Sequence, residues 1–381
     1  MKLLFVTGSL VHGGAERHTI TLANRLAERG HDCAAVYVKN DPSQLERLRL
    51  PEGRVSCLHA ARYLDFAAVA RLRDLFDKAR PGAVVAANPY ALMYASLAGA
   101  RAPLMATFHS NRLLNAKEAL QMAYYRPFFW SARCVVFVCE RQRAHWRRRL
   151  VFGRRNEVIY NGVDTAHWRP WSGDEREALR GALGFGRGDL VLGMSAVLRP
   201  EKNPVQLVEA VASLRLRGVP ARALFIGDGP MRAAVEERSR TLGVAADVAI
   251  TGLQREVRPF LAACDALVLC SSTEALSLAA LEAMALGKPV VHSDVGGAAE
   301  LVQDGENGFL FAAGDTPALV ERLARLADRG LARRLGERAR AAVETAFSER
   351  SMVERYERIL IELDTARTPH GNKVRRTAGA H

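Results

Sequence analysis

Cysteine is scarce in this chain and poorly spaced for chemistry. The six present, Cys33, Cys57, Cys134, Cys139, Cys264 and Cys270, form no CxxC and no ladder of pairs. Neither a zinc site nor a disulfide framework is indicated, and a reducing cytosol is the simplest setting. Long apolar runs are lacking as well. The one charge-free stretch of membrane-spanning length lies between Arg80 and Arg101, and Asn88-Pro89 divides it into a strand, AVVAAN, and a helix, ALMYASLAGA; this is a βα pattern and no span is expected. The opening MKLLFVTGSLVHGG has one lysine and a short apolar run, then glycine and histidine where a signal peptide would keep a longer core. It reads as a buried first strand. GxGxxG and the GK[ST] of a P-loop are both missing, which disfavours a nicotinamide enzyme or an NTPase.

A chain of 381 residues exceeds one ordinary core and suggests two domains of roughly 150–200 residues each. With 49% hydrophobic and 25% charged residues, it reads as a soluble globular protein. The net charge of +13 is concentrated: residues 101–160 hold twelve Lys/Arg against three Asp/Glu, and residues 366–381 hold four basic residues and no acid. The remainder is neutral. Such a local field suits anionic lipid headgroups, diphosphates or nucleic acid, the plain alternative being a solvated arginine-rich surface.

Short apolar runs alternate with helical patterns through most of the chain. KLLFVTG precedes an amphipathic AERHTITLANRLAERGH ending at Gly30, and DCAAVYV, GAVVAAN, PLMATFH and CVVFVC follow as buried strands with helix-sized spacers. From about Gly186 the alternation restarts with DLVLGMSAVL, ARALFIGDG, VAITG, ALVLCS, PVVHSD and GFLF. Two α/β units, each a parallel sheet covered on both faces, are expected. The strandless NGVDTAHWRPWSGDEREALRGALGFGRG between them reads as the connection.

In open α/β sheets, ligands bind beyond the carboxyl ends of the strands. HGGAE brings Gly13 and Gly14 to the start of a helix, where backbone amides can meet an anion, although glycine pairs more often serve plain turns. GDGP, with Gly227, carries the same ambiguity. LRPEKNP places Arg199 and Lys202 before a helix, where two cations oppose the helix dipole. A diphosphate would explain them; a salt bridge to Glu201 or another acid is the structural alternative. SSTEALSLAALEAMALGKPVV sets Glu274 in a loop and Ser277 as cap of a helix whose Leu278, Leu281 and Ala285 form the buried face. Glu282 falls in that helix on a side able to face a cleft, and paired sugar hydroxyls are natural partners for both carboxylates. A glycoside hydrolase also uses two carboxylates, but nothing in the sequence fixes the required separation.

At these residues the chain resembles the retaining GT-B glycosyltransferases of glycosyltransferase family 4. The likeness runs in order through GGAERHTITLANRLAERGHD, VIYNGVDTAHWRP, LRPEKNP, GDGP and EALSLAALEAMALGKPVV...DVGGAAELVQDGENGFLF, over about 300 residues. The resemblance implies a GT-B fold, two Rossmann-like domains facing across a cleft. Residues 1–170 would form the acceptor domain, joined by a returning C-terminal helix at about 350–365; residues 171–349 would form the donor domain, and 366–381 a disordered basic tail. It implies that Glu282 binds ribose hydroxyls and Glu274 a hydroxyl of the donor sugar, and that amides at Ser277 and Leu278 meet the diphosphate. It further implies that His109 in TFHS lies near the transferred sugar and that Gly14 borders the diphosphate. Val197 stands where family members often carry an arginine, so Lys202 is the firmer diphosphate ligand and Arg199 lies two residues from the family's usual place.

The expected reaction is retaining transfer from a nucleoside-diphosphate sugar, UDP before GDP, to a glycan or lipid-linked acceptor in cell-surface polysaccharide, lipopolysaccharide or glycolipid synthesis. No cofactor and no metal are expected. The basic aromatic region 112–155, where Tyr124, Tyr125, Phe128, Phe129 and Trp130 precede Arg141, Arg143 and Arg147 to Arg149, suits the anionic inner face of the cytoplasmic membrane. Core aromatics with solvated arginines are the bland alternative. A degenerate GT-B protein that binds without transfer is the second functional reading, and nucleic-acid binding is not expected because no recognised module appears.

Overall fold

The computed structural model describes every residue except 12, 110–115, 172 and 367–381, and the side chains of 116–118. The N-terminal half runs β1 (Lys2–Thr7), α1 (Gly14–Glu28), β2 (Asp32–Tyr37), β3 (Val55–Cys57), α2 (Phe66–Ala79), β4 (Ala83–Ala86), α3 (Pro89–Leu97), β5 (Leu104–Phe108), α4 (Ala116–Ser131), β6 (Cys134–Phe137), α5 (Glu140–Arg147) and β7 (Arg155–Val158). The C-terminal half runs α6 (Gly173–Ala182), β8 (Leu190–Ser195), α7 (Pro204–Leu216), β9 (Ala221–Ile226), α8 (Arg232–Thr241), β10 (Val248–Ile250), α9 (Arg258–Ala263), β11 (Ala266–Leu269), α10 (Leu278–Ala285), β12 (Val290–Ser293), α11 (Ala298–Leu301), β13 (Gly308–Phe311), α12 (Thr316–Arg325), α13 (Arg329–Ala346) and α14 (Glu349–Thr365).

All strand pairs are parallel, in a seven-stranded sheet ordered β3-β2-β1-β4-β5-β6-β7 and a six-stranded sheet ordered β10-β9-β8-β11-β12-β13. Each order reverses direction once, between β1 and β4 and between β8 and β11. Such reversals open a crevice at the carboxyl ends of the strands, because the flanking connections leave to opposite faces. Strands covered on both faces are apolar: β4 (AVVA), β6 (CVVF) and β11 (ALVL) are buried at every residue.

The local signals act where they are expected. Asn88 caps α3 ahead of Pro89, with its side chain accepting from the Ala91 amide at 2.8 Å. Gly30 follows α1 at φ 88, a conformation costly for any residue with a Cβ. Two edge strands, β3 and β7, have too little apolar content to stand out in the sequence. The connecting stretch is strandless but carries α6, whose buried Arg180 donates to the Ala263 carbonyl and to Asp265, tying it to the C-terminal half. The last helix, α14, crosses back: Met352, Tyr356, Ile359 and Leu360 share a core with Leu3, Phe5 and Leu22 of the N-terminal sheet and α1. The basic tail expected at 366–381 lies outside the described residues, apart from Ala366.

Candidate active site

Loops following β1, β5, β7, β8, β9 and β11 line a single cavity of about 1310 Å³ between the two sheets. That exceeds the roughly 300–1,000 Å³ of a drug-sized site, so it has room for two reactants. All ten residues singled out from the sequence line it: Gly13, Gly14, His109, Arg199, Lys202, Gly227, Glu274, Ser277, Leu278 and Glu282. Val197 lines it too.

Two helix N-termini meet in this cavity. Gly13 caps α1, and the missing Cβ of Gly14 would stand 3.6 Å from Leu278 Cδ1, in ordinary contact with the first residue of α10. Ser277 caps α10, its hydroxyl accepting from the Ala280 amide at 3.2 Å. The first amides of any helix have no partner inside it, so both helices direct free N–H groups and the positive ends of their dipoles into one place. Such a place suits an anion. The helix α10 is not apolar on one face alone: residues 280–285 are all buried, Glu282 included, because the helix is packed between its own sheet, α9, α13 and the opposite half.

The two carboxylates that stood out in an apolar segment have protein partners. Glu274 accepts from the ammonium of Lys202, and the Ser271 hydroxyl donates to the same oxygen at 3.4 Å. Lys202 ends a short 3₁₀ turn, Pro200–Lys202, and Asn203 at φ 47 leads into α7, so the lysine precedes the helix proper. Glu282 is only 2% exposed and pairs with Arg17, which reaches across from α1. Burial lowers the Arg17 guanidinium to about 10, with like-charged Arg47 adding to the effect. Burial likewise raises the Glu16 carboxyl, against the pull of its own backbone hydrogen bond and of Arg199. Arg199 is half-exposed, its guanidinium 3.9 Å from Glu201.

His109 closes β5 with its Nε2 buried and without a hydrogen-bond partner among the described residues. Its ring lies 4.6 Å from that of His18, whose Nε2 is 3.2 Å from the hydroxyl of Tyr356 on α14. Burial pushes the His109 imidazole down to about 4, and His18 well below its ordinary value, with His109 adding to the shift. Both rings are therefore neutral near pH 7, and a neutral ring donates at one nitrogen only.

Gly227 has a second reason to be glycine. At φ 143, a Cβ there would overlap the Ala196 carbonyl oxygen, so the GDGP loop lies directly on the β8 exit. Arg17 and His18 sit within the GGAERH stretch, one helical turn inside Gly14, and their spacing was the available signal. Their partners, 265 and 338 residues away, were not visible in the sequence.

Of the basic aromatic region, Tyr125 and Phe129 are buried in the N-terminal core with Met122, while Leu120, Tyr124 and Trp130 are exposed on the other side of α4. Arg141 pairs with Asp294 of the opposite half, and Arg147 to Arg149 are exposed. The buried Tyr125 and Phe129 and the exposed Arg147 to Arg149 are what the plain alternative expects of this segment. Its residues 112–115 lie outside the description. Among the described residues, no group of three or more His, Cys, Asp or Glu could hold a metal ion, and no helix is long and apolar enough to cross a membrane.

Residues 12–167 match the family described as Glycosyltransferase Family 4, and residues 175–342 match Glycosyl transferases group 1. The chain belongs to this glycosyltransferase family. A putative glycosyltransferase EpsD of Bacillus subtilis is 34% identical over 53% of this chain and 53% of its own length. The lipopolysaccharide core biosynthesis glycosyltransferase LpsE of Rhizobium meliloti is 37% identical over 40% of this chain and 44% of its own. The matches thus span about half the length of these curated relatives. In fold, the chain superposes on Anabaena Alr3699/HepE, solved in complex with UDP and glucose, with a TM-score of 0.84 over 95% of this chain and 100% of that one, at 23% identity. The GT-B architecture is shared.

Proposed function

We propose that this glycosyltransferase moves a sugar from a nucleoside-diphosphate sugar to a hydroxyl of a glycan or lipid-linked acceptor, with retention of anomeric configuration. One observation carries the reading: the N-termini of α1 and α10 converge in one cavity with Lys202, Glu274 and Glu282. A diphosphate fits between Lys202 and the first amides of α10, which meet the charge that grows as it leaves. Ribose hydroxyls then take Glu282 from Arg17, and a hydroxyl of the sugar takes Glu274, leaving Lys202 free for phosphate. His109, neutral, offers its ring to the sugar and adds no charge beside the reacting carbon.

In this scheme the bond from the anomeric carbon to the diphosphate oxygen breaks as the acceptor oxygen bonds to the same face. The acceptor proton passes to the departing phosphate oxygen. Lys202 and the helix amides supply the positive charge required, so we propose that no metal takes part. A UDP-linked donor is favoured, since the structurally similar HepE was solved with UDP and glucose.

The acceptor side lies with the N-terminal half. Leu120 and Tyr124 repeat at four residues along the outer face of α4, and the exposed Trp130 donates through its indole to the Leu150 carbonyl at 2.9 Å. With Arg147 to Arg149 beside Leu150, this face suits an anionic membrane carrying a lipid-linked acceptor. A donor screen by nucleoside diphosphate release, with and without a chelator, tests the transfer, and anomeric analysis of the product tests retention. Release from no donor, or loss of release on chelation, would defeat the corresponding claim. Co-sedimentation with anionic vesicles that survives unchanged in an Arg147→Ala/Arg148→Ala/Arg149→Ala variant would defeat the membrane reading.

A further inference from the structure

The loop that carries Glu274 and Ser277 is held from the opposite half of the molecule, and the contacts return to one side chain. Glu300, on α11, accepts from the backbone amides of Glu140 and Arg141, each at 2.8 Å, one at each carboxylate oxygen. These are the first two amides of α5, where a carboxylate is favoured both by hydrogen bonding and by the helix dipole. The Tyr160 hydroxyl donates to the same carboxylate at 3.1 Å.

Each of these partners leads to the donor loop within two residues. Cys139, which caps α5, places its Sγ 3.6 Å from the Ala275 carbonyl oxygen. Asn161, beside Tyr160 and 4% exposed, donates to the Leu276 carbonyl at 2.9 Å. From the other side, the Gly297 amide donates to the Ala275 carbonyl at 2.7 Å, and the Glu300 amide bonds back to Gly297 at 3.0 Å. A Cβ on Gly297 would stand within 3 Å of both Ala275 and Cys139, so the packing has no slack. The clamped carbonyls, 275 and 276, lie between the two groups that face the cavity, Glu274 and Ser277.

We propose that Glu300 is a positioning residue for the donor loop, joining the two halves at α5 so that Glu274 and the start of α10 are held in the form that receives the donor. The part of this that concerns the donor rests on the transfer reading above; the part that concerns the loop does not. Glu300 itself is outside the cavity and touches no reactant. By linkage, a bound nucleotide must in turn strengthen the contact at α5 by the same factor.

The test uses the full chain and two independent readouts. Hydrogen exchange of peptides covering residues 273–281 is compared in wild type, Glu300→Ala and Tyr160→Phe, and donor KM and kcat are measured for any donor that releases nucleoside diphosphate. Glu300→Ala removes charge-assisted bonds to two amides, so loop exchange is expected to rise about tenfold while the β8 and β9 peptides stay protected. Donor KM should rise by a similar factor with kcat within about twofold, and UDP should slow exchange at Glu140 and Arg141 in the wild type. Tyr160→Phe, which removes one hydroxyl, should shift the loop less and in the same direction. It serves as the deciding variant should Glu300→Ala unfold. Unchanged loop exchange in the variant that folds overturns the proposal, and so does a loss confined to kcat. If the wild type uses no donor, the transfer reading fails and the exchange result alone decides the role of Glu300.

Discussion

Replacing Lys202 with alanine separates a structural ion pair from a working one. In the structure its ammonium bonds Glu274, and the side chains keep 25% and 16% of their surface. A pair so near water contributes little to stability, on the order of 1 kcal/mol, because solvent screens it and takes up the remaining charge. The fold should therefore survive the change with a small fall in Tm. The consequence for transfer is larger. A leaving diphosphate gains charge in the transition state inside a cavity bounded by low-dielectric walls, and removing one fixed donor from such a place costs roughly 3–4 kcal/mol, or about 10²–10³ in rate. Lys202→Ala should lower kcat/KM by that factor, as measured by nucleoside diphosphate release, while a thermal melt confirms folding. Lys202→Arg should recover part of the loss, since charge is kept while the geometry changes. A Lys202→Ala protein with wild-type kcat/KM would refute the reasoning, because the pair with Glu274 would then be the whole role of the lysine.

Three further outcomes are expected. Glu282→Gln removes the buried charge that Arg17 neutralises and that ribose hydroxyls would use, so nucleoside diphosphate binding by calorimetry should weaken roughly 10-fold or more. His109 and His18 are held neutral by burial, so the unfolded chain binds more protons than the folded one below the ordinary histidine range. Their contribution is complete above about pH 6.5 and is lost as pH falls toward 4; for His109 alone, a drop from pH 6.5 to 5 removes up to about 2 kcal/mol. Thermal melts should show this decline, and His109→Gln should flatten it. Asp265 accepts from Arg176, Arg180, Arg329 and the Val191 amide at 2.6–2.8 Å. Asp265→Ala leaves the buried Arg180 without its carboxylate, and urea unfolding should show a loss of about 3–5 kcal/mol.

The sequence by itself determined the elements and the loops that carry chemistry. Apolar runs of strand length, Asn88 before Pro89 and Gly30 after α1 act locally, through steric and capping effects that the neighbouring residues settle. Because the strands are parallel, the loops after β1, β8 and β11 had to emerge at carboxyl ends, which placed Gly14, Lys202 and Glu274 on the cavity side. The edge strands β3 and β7 escaped because their burial is partial and their pattern weak. Only the tertiary structure decided what meets what. Arg17 against Glu282, His18 against Tyr356, and Glu300 against the first amides of α5 join residues more than 150 positions apart. Such pairings depend on how two sheets face each other and on the return of α14. They leave no local mark, since a carboxylate in an apolar helix reads the same whether an arginine, a hydroxyl or nothing stands opposite.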